Sequence, residues 1–516
     1  MNRLYPIGIQ NFESLRTGGY HYVDKTALVY RLATTGKYYF LSRPRRFGKS
    51  LLISTLEAYF QGKKELFTGL EMEKLEQEWT EYPVLHLDLN AQKYSTPQDL
   101  TDMLEASLAQ WEMRYGKDDS EPSPSLRFQG IIRRAAEKAQ RNVVILVDEY
   151  DKPLLQAIGN ETLQTEYRNT LKAFYGVLKS CDRYIRFALL TGVTKFSKVS
   201  IFSDLNNLND ISMHAAYAPL CGITEEELYQ NFADDIRQLG EANEMDEAEA
   251  ARMLKRWYDG YHFAAQSPDI YNPFSLLNTF SKMRFGSYWF ETGTPTFLIE
   301  LLRQGNFNLY ELTREQVSED MLGEIDNRGG NPLPILYQSG YLTIKGYDRE
   351  FDLYALGFPN REVEEGFGRH LLTGYASVPS GNTAFQIQKF VQEVRRGDID
   401  GFMARLQSFF ADIPYELARD LELHYQNVLF IVFKLLGFYV QVEYHTSRGR
   451  IDLVMQTRLY IYVMEFKLEG TAEEALQQME DKQYARPFEA DGRKVFKVGV
   501  NFSNEARNIE KWLVKE

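Results

Sequence analysis

Cysteine and histidine are scarce in this sequence of 516 residues, which contains two cysteines and seven histidines. Cys181 and Cys221 stand far apart, and neither has the neighbouring ligands that a zinc site requires. We therefore expect no disulfide framework and a reducing, cytoplasmic environment. His86, His214 and His262 are isolated from one another, so we interpret them as packing or surface residues.

Long hydrophobic runs are also missing. The longest apolar stretches, such as NVVILV and VLFIVF, are far shorter than the roughly 18 residues that cross a membrane. The opening MNRLYPIGIQNF contains no apolar signal core, so we expect neither export nor membrane insertion. The composition, with 44% hydrophobic and 25% charged residues, is that of a folded globular protein, and the length indicates several domains.

Positive charge is in deficit, because the formal net charge is -13. Such a balance at first argues against nucleic acid as a partner. The deficit is uneven, however, since residues 381–516 carry 18 Lys and Arg against 20 Asp and Glu, a net of -2. The other 41 basic and 52 acidic residues give -11 to residues 1–380. The charge of the whole chain therefore does not exclude a nucleic-acid site in the carboxyl-terminal part.

The chain divides into regions of different pattern. From Lys37 to Leu190, short apolar runs alternate with helical stretches, which predicts a parallel sheet covered by helices on both faces. From Cys221 to Phe263 the pattern is helical and acidic and indicates a helical lid. A helix end and a hairpin over Leu333–Pro359 suit a small winged-helix-like unit. We predict an α/β protein with domains at 1–220, 221–380 and 381–516.

The stretch RPRRFGKSLL resembles the phosphate-binding pattern G-x-x-x-x-G-K-[ST], although Arg43 stands where the first glycine is expected. In such a loop the backbone N–H groups at a helix start surround phosphate oxygens, the lysine neutralises phosphate charge, and the hydroxyl binds magnesium. Gly48, Lys49 and Ser50 lie between an apolar strand pattern and a strong helical pattern, as that chemistry requires. A chance Gly-Lys-Ser is the alternative.

A second segment supplies what a magnesium nucleotide site also needs, a carboxylate at the end of a neighbouring strand. Five apolar residues precede Asp148 and Glu149 in NVVILVDEYDKP. We predict that Asp148 holds Mg²⁺ and that Glu149 orients the attacking water. The alternative is a buried strand that ends in a solvated acidic turn. Thr191, at the end of RFALLTG, either senses the terminal phosphate or caps its strand.

Together RPRRFGKSLL, VDEYDKPL, LLTGVTKFSKVSIFSDLNNLNDIS and WYDGYHF resemble the bacterial AAA-ATPase-like family over roughly Tyr5 to Phe290. That family has the same arginine-proline opening to its loop. The resemblance implies a P-loop ATPase core that binds ATP and Mg²⁺. We assign nucleotide contacts to the loop and to the two strand ends, at Arg45, Arg46, Phe47, Gly48, Lys49, Ser50, Leu51, Asp148 and Thr191.

The arginines of the loop have two candidate roles. Arg43, Arg45 or Arg46 could add positive charge near the phosphates or hold the acidic helices of the lid. On the first role, Arg43→Gly weakens nucleotide binding. The sequence identifies no arginine finger, and a homo-oligomer that shares one between neighbours stays open.

The carboxyl-terminal region contains the pattern GRIDLVMQTRLYIYVMEFK. Strand alternation places Glu465 and Lys467 on one face, and the turn near Thr457 and Arg458 folds Asp452 back beside Glu465. Two carboxylates can hold Mg²⁺, and a lysine beside them can position a water or stabilise a phosphate. The alternative is a half-buried hairpin with ordinary surface charges.

The flanking helices add candidate residues. Glu422, in an apolar helical segment, could provide another carboxylate at the metal. After the strand, Thr471 and Glu474 form the capping-box pattern of a helix start. On that helix Gln478 and Lys482 are four residues apart and share a face, so both could contact a substrate phosphate.

This arrangement resembles the PD-(D/E)XK nuclease superfamily over about Ile387 to Leu513, as a restriction-endonuclease-like α/β domain. The resemblance implies that Asp452 and Glu465 are metal ligands and that Lys467 is catalytic. The proline of the superfamily's name is absent, because Ile451 precedes Asp452.

Both patterns together predict an ATP-hydrolysing protein coupled to a magnesium-dependent nuclease that cleaves nucleic acid, with DNA favoured. An alternative is an ATP-switched scaffold or sensor whose tail binds nucleic acid or a partner without cleavage. A third is an interaction platform in which both sites are vestigial.

Overall fold

A computed structural model of the chain describes residues 3–195, 207–292, 296–323, 331–376, 379–411, 421–447, 450–467, 470–488, 490–503 and 505–516. Two compact units are present. The first contains Met1–Trp289 and Gln316–Arg361, and the second contains Phe290–Glu315 and Glu362–Glu516. The predicted domain limits at 220 and 380 stay predictions. No helix among the described residues is long and apolar enough to cross a membrane.

The strands of the described chain have the following bounds: β1 Tyr38–Ser42, β2 Val84–Asp88, β3 Val143–Asp148, β4 Ile185–Gly192, β5 Asn209–Asp210, β6 Ile223–Thr224, β7 Ile270–Tyr271, β8 Gln316–Ser318, β9 Thr343–Asp348, β10 Leu353–Gly357, β11 Gln441–Ser447, β12 Arg450–Gln456, β13 Tyr460–Lys467, β14 Lys494–Ser503 and β15 Asn508–Lys515.

The α-helices have the following bounds: α1 Phe12–Thr17, α2 Thr26–Thr35, α3 Lys49–Phe60, α4 Glu71–Leu75, α5 Pro97–Tyr115, α6 Pro124–Ala139, α7 Lys152–Gln156, α8 Glu161–Ser180, α9 Glu225–Ala242, α10 Glu247–Tyr258, α11 Pro273–Lys282, α12 Thr296–Gln304, α13 Leu309–Leu312, α14 Glu319–Gly323, α15 Leu333–Gln338, α16 Arg361–Tyr375, α17 Thr383–Arg396, α18 Ile399–Ala411, α19 Leu421–Leu436 and α20 Ala472–Asp481.

The first unit is built on a parallel sheet with the strand order β2-β3-β4-β1-β5. Its strands are nearly continuous apolar runs, because helices cover both faces. Every residue of β3 is buried. The predicted parallel sheet is thus confirmed, and β4 lies between β1 and β3.

Different helices cover the two faces of this sheet. On one face, Phe128 of α6 and Phe174 of α8 stack with ring centroids 4.4 Å apart. Trp111 of α5 continues the stack at 5.6 Å from Phe128. On the other face, Phe60 of α3 lies 5.2 Å from Phe187 of β4. The helix that follows the phosphate-binding loop is therefore fixed against the sheet by aromatic packing.

Helices α9 and α10 lie in the predicted lid region and pack with α11, which follows that region, around one apolar core. These three helices are called the lid below. Phe232 and Phe280 stack at its centre with ring centroids 5.2 Å apart. The N-cap of α9 is a capping box in which Thr224 and Glu227 satisfy each other's backbone N–H groups. The helical character predicted for this acidic region is therefore present.

The predicted winged-helix-like unit stays a prediction; strand β8, helices α14 and α15, and the hairpin β9–β10 follow one another in this part of the chain. The sheet order is β8-β10-β9. Helix α15 is buried rather than exposed, and Leu333 and Leu336 belong to the interior. Its Gln338 accepts a hydrogen bond from the backbone N–H of Lys195 at 2.6 Å. Helix α15 therefore packs in the interior of the first unit.

The second unit is built on a mixed sheet with the order β11-β12-β13-β14-β15. Only β13 and β14 run parallel among these neighbours. Helix α19 covers one face, where Phe433 packs on Phe466 of β13 and Tyr425 stacks on Phe502 of β14 at 4.4 Å. Helix α20 covers the other face, where Met479 packs near Val463. The predicted carboxyl-terminal α/β domain is confirmed.

The Phe128–Phe174 stack predicts a large loss of stability when one of its two rings is removed. Phe174→Ala should lower the free energy of unfolding by about 3–5 kcal/mol, because it leaves a cavity between α6 and α8. Met113→Ala is the control, since the Met113 side chain of α5 is 83% exposed. Urea unfolding with tryptophan fluorescence measures both. Equal midpoints for the two variants would contradict this packing.

Candidate nucleotide and nuclease sites

The predicted phosphate-binding loop connects β1 to α3. Gly48 has φ +94°, and no atom lies within 4 Å of the position that a Cβ would occupy. A glycine is therefore required there by backbone conformation and not by space. Helix α3 begins directly after it, so its first N–H groups have no partner within the helix and can donate hydrogen bonds to phosphate oxygens. The loop thus has the geometry that anion binding needs.

Lys49 lies inside this loop and is only 5% exposed. Its Nζ donates hydrogen bonds to the carbonyl oxygens of Arg43 at 3.0 Å and Pro44 at 3.3 Å. The ammonium group is therefore held across its own loop, at the start of the helix that also carries Ser50. Lysine and serine are placed together as the sequence predicts.

Arg43 stands at the first position of the loop pattern and is 1% exposed. Its guanidinium donates to the carbonyl oxygens of Ser42, Ser212 and Tyr217 at 2.9, 2.7 and 3.2 Å. The Arg43 Cζ atom also lies 4.2 Å from the ring centroid of Phe263. Burial lowers the pKa of Arg43 below its usual value. Its contacts are therefore those of an internal support, different from both roles considered for the sequence.

Arg45 and Arg46 are exposed, in contrast to Arg43. The Arg46 Cζ atom lies 5.0 Å from the ring centroid of Phe274 in the lid, and Arg46 has φ +68°. The carbonyl oxygen of Arg45 accepts a hydrogen bond from Trp289 Nε1 at 3.1 Å. Both guanidinium groups lie on the outer part of the loop, and their contribution to phosphate binding stays a prediction.

Phe47 fixes the loop to the segment WYDGYHF. It is 1% exposed and packs edge-on against Tyr261, with ring centroids 4.7 Å apart. Its carbonyl oxygen accepts a hydrogen bond from the N–H of Gly222 at 3.1 Å. The side chain thus packs on the segment between α10 and α11, the backbone is bonded to the residue before β6, and a nucleotide contact by Phe47 stays a prediction.

Asp148 ends β3 and is 4% exposed. Its Oδ1 accepts hydrogen bonds from Thr191 Oγ1 at 2.6 Å and from the N–H of Glu149 at 3.1 Å. Because β4 lies between β1 and β3, Thr191 stands between the loop strand and this carboxylate. Glu149 has φ +49°, which is uncommon for a residue with a Cβ. Such backbone conformations are concentrated at functional sites.

Sequence reasoning missed Asp151, which is 1% exposed. Its carboxylate accepts hydrogen bonds from the N–H groups of Val193 and Thr194 and from Thr194 Oγ1, the last two at 2.6 Å. Burial, the largest effect, raises the pKa of Asp151 to about 6. The third acid in VDEYDKP was the available signal, but nothing local shows that its side chain reaches β4.

A cavity of about 100 Å³ adjoins the loop and was also missed. Its wall is mostly apolar and comes from the amino-terminal segment, α3 and the lid, with members Val23, Lys25, Gly48, Leu51, Cys221 and Leu277. Lys25 Nζ contacts Glu227 Oε1 at 2.6 Å, and burial lowers the pKa of Lys25 against the opposing effect of Glu227. An apolar space beside Gly48 and Leu51 suits a planar base.

In the second unit, β12 and β13 pair so that Asp452 lies directly opposite Glu465. Such cross-strand neighbours have Cβ atoms about 5 Å apart. Glu465 is fully buried, and Lys467 Nζ lies 3.1 Å from its Oε1. Lys467 also donates a hydrogen bond to Gln478 of α20. The register therefore places Asp452 beside Glu465, and Lys467 connects Glu465 to Gln478. The four predicted residues thus lie on the same side of the sheet.

Glu422 and Lys482 belong to the two helices that pack on this sheet. Glu422 lies in the first turn of α19, the helix that covers the opposite face, and its Oε1 accepts a hydrogen bond from Gln426 Nε2 at 3.2 Å. Lys482 follows the end of α20 and is exposed, with its Nζ 5.9 Å from the ring centroid of Tyr484. A metal contact by Glu422 and a substrate contact by Lys482 stay predictions.

The donor sets fit magnesium. Within the described ranges, no three His, Cys, Asp or Glu side chains are grouped closely enough to hold a metal ion. One or two carboxylates are instead what Mg²⁺ uses, because it keeps several waters and takes further oxygen ligands from phosphates. Asp452 and Glu465 are paired as such a set, and Asp148 is the carboxylate of the other site, where the hydroxyl of Ser50 stays a predicted ligand.

Comparison with known proteins finds a family match in each of the two regions. A family model described as a predicted AAA-ATPase matches residues 6–202, and a model of the PD-(D/E)XK nuclease superfamily matches residues 420–512. A protein of Azotobacter chroococcum mcd 1, described as an uncharacterized protein in the vnfD 5' region, is 37% identical over 521 residues. The match covers 99% of this chain and 98% of that protein.

The contacts of Arg43 predict an effect on stability and not on phosphate affinity. Arg43→Met should lower the free energy of unfolding by about 2–4 kcal/mol, because three buried carbonyl oxygens lose a charged donor. The Kd for ATP should change less than about threefold in the folded protein. Exposed Arg45→Met is the control for stability. An unchanged unfolding midpoint with a tenfold weaker Kd would restore the phosphate role.

Proposed function

This chain belongs to the AAA-ATPase-like family with a carboxyl-terminal PD-(D/E)XK nuclease superfamily domain, and from that premise we propose that it is an ATP-controlled, metal-dependent nuclease. In this proposal the first unit binds and hydrolyses ATP with Mg²⁺, and the second unit cleaves phosphodiester bonds of nucleic acid. Support comes from two sites that each combine acidic oxygens with a lysine.

The first unit would bind the phosphates through the N–H groups of the loop and the ammonium group of Lys49. Ser50 and Asp148 would hold the Mg²⁺, which neutralises phosphate charge when it is bound. Glu149 orients the attacking water, and Thr191 keeps Asp148 in place through its hydroxyl. The apolar cavity beside Leu51 takes the base.

The second unit would use Asp452 and Glu465 as ligands of a divalent cation, which supplies Lewis-acid chemistry when it is bound. Lys467 is fixed between Glu465 and Gln478, so its ammonium group points at the same small space as the carboxylates. There it positions the attacking water and stabilises the negative charge that develops on the phosphate.

The observation that carries this proposal is the pairing of Asp452 with Glu465 in register, with Lys467 at 3.1 Å from Glu465. DNA is the favoured substrate, and the proposal includes a cytoplasmic location. It also admits a homo-oligomer, in which a neighbouring copy supplies an arginine to the ATP site.

The ATP site predicts a strong effect of one lysine. Lys49→Ala should raise the Kd for ATP at least about tenfold, because the buried ammonium group that faces the phosphates is lost. Lys152→Ala is a matched control, since Lys152 bonds to Asn90 outside the loop. Calorimetry with ATP and Mg²⁺ measures both. Equal affinities would contradict a phosphate-binding role of this loop.

The nuclease site predicts magnesium-dependent cleavage that needs Asp452 and Lys467. Asp452→Asn and Lys467→Ala should each lower the cleavage rate at least about 100-fold, since each removes a charged group from the reacting centre. Chelation by EDTA should have the same effect. Lys511→Ala is the control, because Lys511 pairs with Glu473 on the surface.

Single- and double-stranded DNA and RNA are tested with Mg²⁺ and Mn²⁺, with and without ATP. The proposal fails if wild-type protein cleaves none of these forms. Full binding without cleavage would favour the scaffold or sensor alternative.

A further inference from the structure

Asp151 is a buried acid for which the proposed chemistry has no direct use. It is the N-cap residue of α7, yet its side chain makes no capping bond to that helix. Among the described residues no Lys or Arg forms an ion pair with it, although burial, which raises its pKa, is opposed in part by the charge of Lys49. A buried carboxylate without a direct ion-pair partner is costly, and such groups concentrate where function requires them.

The carboxylate of Asp151 instead binds the end of β4. Its Oδ2 accepts from the N–H of Val193 at 3.1 Å, the N–H of Thr194 at 2.6 Å and Thr194 Oγ1 at 2.6 Å. Its Oδ1 lies 3.2 Å from the same N–H of Val193. These donors follow Thr191, the residue that bonds to Asp148, by only two and three positions.

The turn after β3 is joined to the end of β4 by two further bonds. The N–H of Tyr150 donates to the carbonyl oxygen of Thr191 at 2.9 Å. Tyr150 Oη donates to the carbonyl oxygen of Thr194 at 3.1 Å. The turn that carries Glu149 and the strand end that carries Thr191 are thus joined on both sides of Gly192.

Gly192 shows how close this contact is. A Cβ at position 192 would lie 2.6 Å from Asp151 Oδ1 and 2.8 Å from the ring of Tyr150. Any larger residue would push the carboxylate away from the strand end. The glycine is therefore required by the approach of Asp151.

The contact between Asp151 and β4 matters because of the backbone conformation of Glu149. Its left-handed conformation is unfavourable for a residue with a Cβ and persists only where the surroundings fix it. Tyr150 and Asp151 supply that fixation, because they are the next two residues and both bond to β4. Without them, Glu149 can relax to ordinary backbone angles and Thr191 can move away from Asp148.

We propose that Asp151 is a positioning residue for ATP hydrolysis, which holds Glu149 and Thr191 in their places at the terminal phosphate by bonding the turn after β3 to the end of β4. This inference rests on the proposed ATPase function. Asp151 touches neither nucleotide nor water in this role, and it acts through Glu149 and Thr191.

The test is a double-mutant cycle in the full-length protein, measured by steady-state ATP hydrolysis. Asp151→Ala should lower kcat about 10- to 100-fold and change KM less than about threefold, because misplacement affects the reacting groups and not the loop. Asp151→Asn keeps an acceptor oxygen and should retain activity within about fivefold of wild type. Gly192→Ala should behave like Asp151→Ala.

Combination with Thr191→Val separates positioning from general damage. Because Asp151 acts through both Glu149 and Thr191, the double variant should lose less activity than the product of the two single losses. Asp182→Asn is the control, because Asp182 precedes the other end of β4 and bonds to Lys37 and Tyr38. Independent, multiplying effects, or an Asp151→Ala enzyme that matches Asp182→Asn, would overturn the inference.

ATPγS binding distinguishes this inference from the proposed function. Wild-type protein that binds ATPγS but hydrolyses no ATP would refute the proposed hydrolysis alone. The double-mutant cycle then uses another readout, the increase in ATPγS affinity when Mg²⁺ is added. That increase depends on Asp148 and therefore on Thr191. An unchanged gain in Asp151→Ala would overturn the positioning role, and a wild-type protein that binds no nucleotide would overturn both.

Discussion

The first unit depends on the in-register pairing of parallel strands, which brings all their carboxyl ends to one edge of the sheet. With β4 between β1 and β3, the phosphate loop, Thr191 and Asp148 become neighbours, although about 140 residues of chain separate the loop from Thr191 and about 100 separate it from Asp148. The hydrogen bond from Thr191 to Asp148 is the direct product of that register. Buried apolar strands below the edge hold the polar groups still, so the site has little freedom to rearrange.

The second unit reaches a similar result through antiparallel pairing. A short turn folds β12 onto β13, and the side-chain period of two then fixes which residues share a face. Asp452, Glu465 and Lys467 lie on the face covered by α20, whereas Phe466 between the last two points into the layer that contains α19. A shift of the strand pairing by one residue would turn the acids into that aromatic layer, so hydrophobic packing also fixes the face on which the acids lie.

Much of this arrangement was predictable from local sequence. Apolar runs of five residues identify the parallel strands, and the positions of Asp148 and Thr191 at strand ends follow from them. The register of Asp452 with Glu465 likewise follows from one short turn and strand alternation. These features depend on patterns within about 20 residues, which the sequence displays directly.

Other features depend on contacts between distant segments, which the sequence does not display. Arg43 lies next to the loop in sequence, yet its bonds to Ser212 and Tyr217 decide its role. Asp151 resembles a solvated acid until β4 is placed beside it. Glu422 stands on a helix whose apolar pattern does not reveal which face of the sheet it covers, and the burial of α15 has the same origin.

The central claim is that occupation of the ATP site controls cleavage by the second unit. Its most direct measurement is the initial rate of nucleic-acid cleavage by the wild-type protein as a function of ATP concentration, at fixed Mg²⁺. The account predicts a rate that changes with ATP and reaches half of its change at the Kd for ATP measured by calorimetry. A cleavage rate that is the same at every ATP concentration, from zero to saturation, would contradict it.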